Sequence, residues 1–128
     1  MKLLLDTHCL FWAMLEDKHL SPLARTAIAA VPNEVFVSTA SIWEMAIKVG
    51  IKKWPEAAEL VANIEDELAE FGFVLLPISV AHVRRAGVMQ SPYRDPFDRL
   101  LAAQALIEGL TLVTADAKVA TLGAPVLW

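Results

Sequence analysis

The sequence predicts a three-layer α/β/α fold built on a parallel sheet of about five strands. Short apolar segments alternate with longer helical segments along the chain. The apolar segments are nearly continuous runs, which is typical of strands that are buried on both faces. Since parallel strands are joined by right-handed crossovers, the helices are expected to cover both faces of the sheet.

The first half of the chain is predicted to contain two strands and three helices. Asp6 ends the first apolar run, and the segment after it is apolar and long enough for a helix. Ser21 and Pro22 form a helix start, with serine as the N-cap and proline at the first helical position. Gly50 is expected to end the third helix. The predicted elements are strand Lys2–Leu5, helix His8–Leu15, helix Pro22–Ala30, strand Glu34–Val37 and helix Ser41–Val49.

The second half is predicted to contain three helices and two or three strands. Pro55 opens its most polar helix and Gly72 ends it. Pro77 stops the third strand, and Ser79 caps the helix that follows. Asp95 and the proline after it start the last long helix. The predicted elements are helix Glu56–Phe71, strand Phe73–Leu76, a helix from Ser79 to about Met89, helix Pro96–Glu108, strand Leu110–Val113 and a possible strand Val126–Leu127.

Length and composition narrow the class of protein. The 128 residues fit one domain. The hydrophobic fraction of 56% and the mean hydropathy of +0.49 exceed what a core needs, so an interface with a second copy or a partner is expected. No apolar run is long enough to span a membrane, and the first run stops too early for a signal peptide, so we expect a cytoplasmic protein. The single Cys9 excludes an intrachain disulfide and is expected to be buried.

Four carboxylates are predicted to meet at one edge of the sheet. Asp6 ends the first strand and Asp116 follows the fourth, whereas Glu44 and Asp98 lie near the starts of helices. In an open parallel sheet, all four positions belong to the rim beyond the carboxyl ends of the strands. Two carboxylates about 4 Å apart repel each other by roughly 4 kcal/mol at an effective dielectric of ~20. The pattern therefore predicts a divalent cation, and hard oxygen ligands suit Mg²⁺ or Mn²⁺.

Each acid also has a simpler interpretation as a helix cap. Ser41–Glu44 has the spacing of a capping box, and Asp95–Asp98 resembles one. Asp116 could cap the short turn that follows it. Asp6 is harder to explain in this way, because a carboxylate at the end of a buried strand is costly without a partner. The coincidence of four acids on one rim favours the metal site. Such a site would also weaken the objection that the net charge of −4 raises against nucleic-acid binding.

The same residues resemble the PIN-domain ribonucleases, and within them the VapC-type toxins of bacterial toxin–antitoxin pairs. Four motifs carry the likeness, in order, across nearly the whole chain: Leu3–Trp12, Ser41–Lys48, Asp95–Ala105 and Leu112–Asp116. The resemblance implies one PIN domain over residues 1–128, with strand order 3-2-1-4-5. It also implies an endoribonuclease that depends on Mg²⁺ or Mn²⁺, a homodimer, and an antitoxin protein (VapB-like) that blocks the acidic rim.

Carried over by position, the acidic quartet of this family is Asp6, Glu44, Asp98 and Asp116. Asp6 and Asp98 are expected to bind the ion directly, and Glu44 and Asp116 to bind it through water or to orient the nucleophile. Asp95 is expected to support the quartet or to cap a helix. The hydroxyl of Thr114 is expected to support Asp116. The chain departs from the family pattern at Tyr93, where relatives often have histidine.

Basic and aromatic residues receive weaker predictions. The candidates for contact with RNA phosphates are Arg94, Arg99, Lys48, Lys52 and Lys53. A salt bridge to Asp98 explains Arg99 equally well, and a solvated surface explains the lysines. His8 is expected to point away from the acids. Trp12, Trp43 and Trp54 are expected to anchor the core or an interface rather than to serve as base-stacking platforms.

Two other functions fit parts of the sequence. A phosphotransferase of the haloacid-dehalogenase type also begins with an aspartate after an apolar strand, but it normally needs a second aspartate where this chain has His8. A PIN fold with a spent site would act as a binding module through its partner, and the intact quartet counts against this. Metal-dependent cleavage by the purified protein would separate these possibilities.

Overall fold

Fourteen elements alternate along the chain in the computed structural model, which describes residues 1–128. In order they are β1 (Lys2–Leu5), α1 (Thr7–Met14), α2 (Pro22–Ala29), β2 (Glu34–Ser38), α3 (Thr39–Gly50), a 3₁₀ turn (Pro55–Ala57), α4 (Ala58–Ala62), α5 (Ile64–Phe71), β3 (Val74–Leu76), α6 (Val80–Val88), α7 (Pro96–Glu108), β4 (Thr111–Val113), α8 (Ala117–Ala120) and β5 (Val126–Leu127). None of the helices combines the length and the hydropathy needed to cross a membrane.

The sheet has the predicted order, β3-β2-β1-β4-β5, and every pair of neighbouring strands is parallel. β1 is the central strand, and its last residue, Leu5, lies beside Val37 of β2 and Val113 of β4. From β1 the chain adds β2 and β3 on one side of the sheet and then β4 and β5 on the other, so the direction in which strands are added changes between β1 and β4. The carboxyl edge next to β1 and β4 is therefore the place where open parallel sheets form their sites.

Two hydrophobic cores lie on opposite faces of this sheet. Leu3 and Leu5 belong to one core, with apolar residues of α1, α2, α4 and α5. Leu4, between them, belongs to the other core, with residues of α6, α7 and α8. The alternation follows from the strand geometry, because successive side chains point to opposite faces. All three leucines are fully buried, as the continuous apolar run predicted.

Helix α3 begins earlier and ends later than predicted. Its N-cap is Ser38, whose hydroxyl accepts a hydrogen bond from the amide of Ala40, so the predicted capping box at Ser41 does not form. At the other end Gly50 is still helical, and Lys52 takes the left-handed conformation instead (φ 62°). The amide of Lys53 bonds the carbonyl of Lys48, which is the hydrogen bond of a Schellman motif. A single lysine thus occupies the position that glycine usually takes.

The predicted helix Glu56–Phe71 is divided into a 3₁₀ turn and two helices. The break lies at Asn63, whose backbone leaves the helical region (φ −117°) and whose side-chain amide donates to the carbonyl of Glu59. Asparagine favours such local hydrogen bonds over a continuous helix. α5 then ends at Gly72 as predicted, and that glycine is left-handed (φ 72°).

Candidate active site

A cavity of about 220 Å³ lies at the carboxyl edge of the sheet, and carboxylates dominate its lining. It contains all four acids that were predicted to meet. The lining residues are Asp6, Thr7, His8, Glu44, Lys48, Tyr93, Asp95, Asp98 and Asp116. Asp6 and Asp116, which are more than a hundred positions apart in the sequence, therefore line the same cavity.

Asp6 stands where β1 passes into α1. Its backbone amide still bonds the carbonyl of Val113 in β4, at 3.1 Å, so the residue continues the sheet. Its Oδ1 accepts a hydrogen bond from the amide of Cys9, at 2.8 Å, which makes Asp6 the N-cap of α1. The residue is only 9% exposed. The carboxylate is thus fixed at the floor of the cavity by the first turn of the helix.

Glu44 lies in the second turn of α3, so it is not a helix cap. The hydroxyl of Thr7 donates to its Oε1 at 2.5 Å, and the ammonium of Lys48 lies 3.0 Å from its Oε2. The carboxylate is largely buried, since its side chain is 13% exposed. Contacts from two elements therefore aim Glu44 into the cavity.

Asp98 and Asp116 share one hydrogen-bond donor. The hydroxyl of Tyr93 donates to Oδ2 of Asp98 at 2.6 Å, and it lies 3.4 Å from Oδ2 of Asp116. Burial raises the pKa of Tyr93, and the bond to Asp98 and the neighbouring acids raise it further. The Tyr93 hydroxyl therefore stays protonated at neutral pH and donates hydrogen bonds to the acids.

Burial raises the pKa of the Asp98 carboxyl to about 6. The hydrogen bond from Tyr93 opposes this shift, whereas the negative charges of Asp95, Asp6 and Glu44 reinforce it. Loss of solvation and repulsion by three acids together outweigh one donor. A cation placed among these carboxylates would relieve the same repulsion.

Asp95 and Asp116 each cap a helix, and Thr114 bonds the backbone of Asp116. Asp95 is the N-cap of α7, and its Oδ1 accepts from the amide of Asp98 at 3.0 Å. Asp116 is the N-cap of α8, and its own amide donates to the hydroxyl of the buried Thr114 at 3.1 Å. The cap interpretation and the shared rim are therefore compatible, because a cap uses only one carboxylate oxygen.

The structure separates the predicted basic residues. Lys48 alone lines the acidic cavity, and Lys52 and Lys53 are exposed in the turn after α3. Arg94 lies with Arg99 in a different hollow of about 240 Å³ beside α6 and α7.

Arg99 makes neither a salt bridge to Asp98 nor an approach to the cavity. Its guanidinium instead donates to four backbone carbonyls at 2.6–3.3 Å, and so fastens the segment between α6 and α7. The carbonyls belong to Ala86, Met89, Ser91 and Tyr93. This is a structural role that the motif alone did not reveal.

Two further residues of the cavity were not predicted to belong to it. His8 was expected to point away from the acids; it is a lining residue of the cavity, and its ring packs on Trp12 and Trp54. As the second residue of α1, it lies in the turn that Asp6 caps, and this position could have indicated it. Tyr93 was noted only as a departure from a family pattern. No feature of the sequence indicated that its hydroxyl joins two acids.

The donor set of the cavity fits a hard divalent cation. Carboxylate oxygens are the preferred ligands of Mg²⁺ and Mn²⁺. No group of three or more His, Cys, Asp or Glu side chains of the chain is placed so that it could hold a metal ion. Mg²⁺ does not require such a group, because it usually keeps several waters and binds one or two carboxylates. The acids that could supply these ligands are Asp6, Glu44, Asp98 and Asp116.

Comparison with known proteins agrees with this architecture. The family model described as PIN domain matches residues 3–124. No curated protein sequence matches the chain. Among solved structures, VapBC2 from Rickettsia felis, bound to a DNA fragment from their promoter, is similar with a TM-score of 0.70 and 20% identity, over 100% of this chain and 99% of that chain.

Two further solved structures show the same fold at low identity. DNA-bound VapBC from Salmonella typhimurium has a TM-score of 0.70 and 17% identity, over 99% of this chain and 97% of that chain. VapC20 from Mycobacterium tuberculosis, described as a sarcin–ricin loop cleaving toxin, has a TM-score of 0.66 and 17% identity, over 95% of each chain.

Proposed function

The chain belongs to the PIN domain family, and we propose that it is a metal-dependent endoribonuclease that serves as the toxin of a toxin–antitoxin pair. The observation that carries the proposal is the convergence of Asp6, Glu44, Asp98 and Asp116 on one cavity at the carboxyl edge of the sheet. The similar solved structures support it, since they include toxin–antitoxin complexes and a toxin that cleaves the sarcin–ricin loop.

The roles of the acids follow from how each one is held. Asp6 is buried, and the pKa of Asp98 is raised by loss of solvation and by the charges of Asp6 and Glu44, so both are assigned as direct ligands. Glu44 and Asp116 are assigned to bind the ion through water or to orient the nucleophile. A bound Mg²⁺ or Mn²⁺ would lower the pKa of water for attack on phosphorus and offset charge on the phosphate.

Other side chains of the cavity orient the acids. Thr7 and Lys48 hold the two oxygens of Glu44, and Tyr93 holds Asp98 against Asp116. Lys48 also brings a positive charge into a site whose acids would otherwise repel an RNA phosphate. Together with Lys52 and Lys53, it stays the best candidate for phosphate contact. Arg94 and Arg99 are weaker candidates, because they lie outside the cavity.

The proposal is tested by RNA cleavage during a Mg²⁺ or Mn²⁺ titration. The purified chain is expected to cut single-stranded RNA only when the ion is present, and Asp6→Asn and Asp98→Asn are expected to abolish cutting. Asp66→Asn is the matched control, because Asp66 is an exposed acid of α5 outside the cavity. Full cleavage by Asp6→Asn would refute the assignment. Binding of a partner without any metal-dependent cleavage would favour the spent binding module.

The partner proposals use the apolar surface that the fold leaves exposed. α3 exposes Trp43 and Ile47, Ile51 directly after it is exposed at the same helical spacing, and α6 exposes Val80, Val83 and Val88. We propose that a second copy of the chain and an antitoxin cover such surfaces. Light scattering is expected to give twice the 14.0 kDa mass of one chain. A small protein encoded beside the chain is expected to co-purify with it and to inhibit cleavage.

A further inference from the structure

We propose that a row of contacting rings beside the acidic cavity binds the unpaired bases of single-stranded RNA. The aromatic row consists of His8, Trp12, His19, Trp54 and Trp128. This inference rests on the proposed function and extends it, since it names the surface that holds the substrate. It also revises the sequence interpretation of Trp12 and Trp54 as anchors alone.

The rings of the row form one connected set of contacts. His8 stacks on Trp54, with ring centroids 5.1 Å apart and planes 26° apart, and it lies 5.7 Å from Trp12. Trp12 in turn stacks on His19 at 5.5 Å and 19°, and lies 6.0 Å from Trp128. The row joins α1 to the loop after it, to the turn before the 3₁₀ turn and to the end of β5. No one element could position these rings.

The aromatic row begins inside the acidic cavity. His8 is both a lining residue of that cavity and a member of the row. Lys48 connects the two in a second way, since its ammonium lies 3.0 Å from Glu44 and 5.8 Å from the ring centre of Trp54. An RNA strand with a phosphate at the acids could therefore lay its neighbouring bases on the row.

The rings are anchored on their inner side and open to solvent on their outer side. Trp12 and Trp54 pack partly against the hydrophobic core, which fixes their orientation. His8 and His19 are exposed, and Trp128 is 38% exposed. His19 is held in place by Asp17, whose Oδ1 lies 2.6 Å from its Nδ1. Rings fixed in this way lose little conformational freedom when a base stacks on them.

The charges around the row favour nucleic acid over an apolar peptide. Lys52 and Lys53 directly precede Trp54, and Lys18 directly precedes His19, whereas the acid in contact with the row, Asp17, is bonded to His19. Surfaces for single strands combine aromatic platforms for bases with basic side chains for phosphates. RNA is recognised mainly through unpaired bases that stack on such rings. The row and its lysines therefore supply the two kinds of contact that one strand requires.

The experiment measures binding without cleavage, in EDTA and at low salt. The probe is a short fluorescein-labelled single-stranded RNA of mixed sequence, and its counterpart is an abasic ribose–phosphate strand of the same length. His8→Ala and Trp128→Ala are each expected to weaken binding of the RNA by roughly 5- to 150-fold and to change binding of the abasic strand much less. Phe71→Ala is the matched control, because Phe71 is 39% exposed and lies outside both the row and the cavity.

Tryptophan fluorescence gives a second readout that does not depend on activity. Bases stacked on the row are expected to quench the emission of the wild-type protein, and the quenching is expected to shrink in Trp128→Ala and in Trp54→Phe. Trp54→Phe keeps a ring at that position, so it protects the test against simple misfolding. The abasic strand is expected to leave the emission unchanged.

Three outcomes would each overturn the inference. The wild-type protein could bind the RNA and the abasic strand equally well, or His8→Ala and Trp128→Ala could both keep the RNA affinity of the wild type. Phe71→Ala could also lose as much RNA affinity as the two row variants. Unchanged RNA affinity with lost antitoxin binding would assign the row to a protein partner instead. If the row fails while Asp98→Asn still abolishes cleavage, the nuclease proposal stands. If binding depends on the row but no cleavage occurs, the nuclease proposal fails and the row stands.

Discussion

Asp98 shows at the scale of one residue how a site can oppose the stability of its own fold. Its pKa is raised to about 6, because it is buried and surrounded by Asp95, Asp6 and Glu44. A carboxyl group whose pKa is higher in the folded than in the unfolded state destabilises the folded state once it is ionised. At neutral pH and without a cation, the charge on Asp98 therefore works against folding.

Replacement of this acid should separate activity from stability. Asp98→Asn removes the charge but keeps the size and an acceptor for Tyr93, so the variant is expected to unfold at the same or a higher temperature than the wild type in EDTA. The same variant is expected to lose cleavage. Calorimetry and an RNA cleavage assay check the two halves. A large drop in unfolding temperature would mean that the charge on Asp98 stabilises the folded chain, which contradicts this prediction.

Removal of the Tyr93 hydroxyl is expected to have the opposite effect on stability. Tyr93→Phe removes the donor between Asp98 and Asp116, and a hydrogen bond to a charged group contributes about 1.5–3 kcal/mol. We expect a loss of stability of this order in EDTA, measured by urea unfolding. We expect a smaller loss in saturating Mg²⁺, because a bound cation can screen the two acids instead. An equal loss under both conditions would mean that Tyr93 acts independently of the ion.

At the scale of elements, three helices begin at acids of the cavity. Asp6, Asp95 and Asp116 are the N-caps of α1, α7 and α8. The same side chains therefore begin helices and line the site, and each helix directs the positive end of its dipole towards the acids. The N-termini of these three helices therefore lie together around the end of β1 and form the cavity.

A pair of cap variants tests whether α7 positions the site. Asp95→Ala and Ser21→Ala each remove an N-cap, and each is expected to cost about 1 kcal/mol in unfolding free energy. Ser21 caps α2 and does not line the cavity. Only Asp95→Ala is therefore expected to reduce cleavage as well. Equal cleavage by both variants would show that the position of Asp98 does not depend on this cap.

The conformation of the segment between α6 and α7 depends on the hydrogen bonds that the guanidinium of Arg99 donates to it. Arg99→Lys keeps the charge but cannot reach four carbonyls, because an ammonium lacks the planar set of donors. We expect faster proteolysis within residues 89–94 and weaker cleavage of RNA, since Tyr93 lies in that segment. Limited proteolysis followed by mass spectrometry would locate the cuts. An unchanged pattern would show that the carbonyl bonds do not hold the segment.

At the scale of the whole molecule, the cavity couples ion binding to folding. A ligand that binds only the folded chain stabilises it by RT ln(1 + [L]/Kd), which is about 1.4 kcal/mol at ten times Kd. Mg²⁺ and Mn²⁺ are therefore expected to raise the unfolding temperature of the wild type. They are expected to have little effect on Asp6→Asn or Asp98→Asn. An equal rise in these variants would place the ion elsewhere on the molecule.

The large features of the fold were predictable because they depend on patterns within single segments. Continuous apolar runs predicted β1 and β2 near their true bounds, and Gly72 and Gly109 ended helices as expected. The errors came where several local signals compete. Ser38 and Ser41 can both cap a helix, and only the buried end of β2 decides for Ser38. The break at Asn63 comes with a local bond from its side chain to the carbonyl of Glu59, which competes with the helical pattern around it.

The sequence by itself indicated that Asp6, Glu44, Asp98 and Asp116 meet, because the alternation of strands and helices and the right-handed crossovers bring these four acids to one rim. The tertiary structure alone decided how they are held. The hydroxyls of Thr7 and Tyr93 and the ammonium of Lys48 contact these acids from three different segments of the chain. Their directions depend on packing between elements far apart in the chain, and no local pattern records that packing.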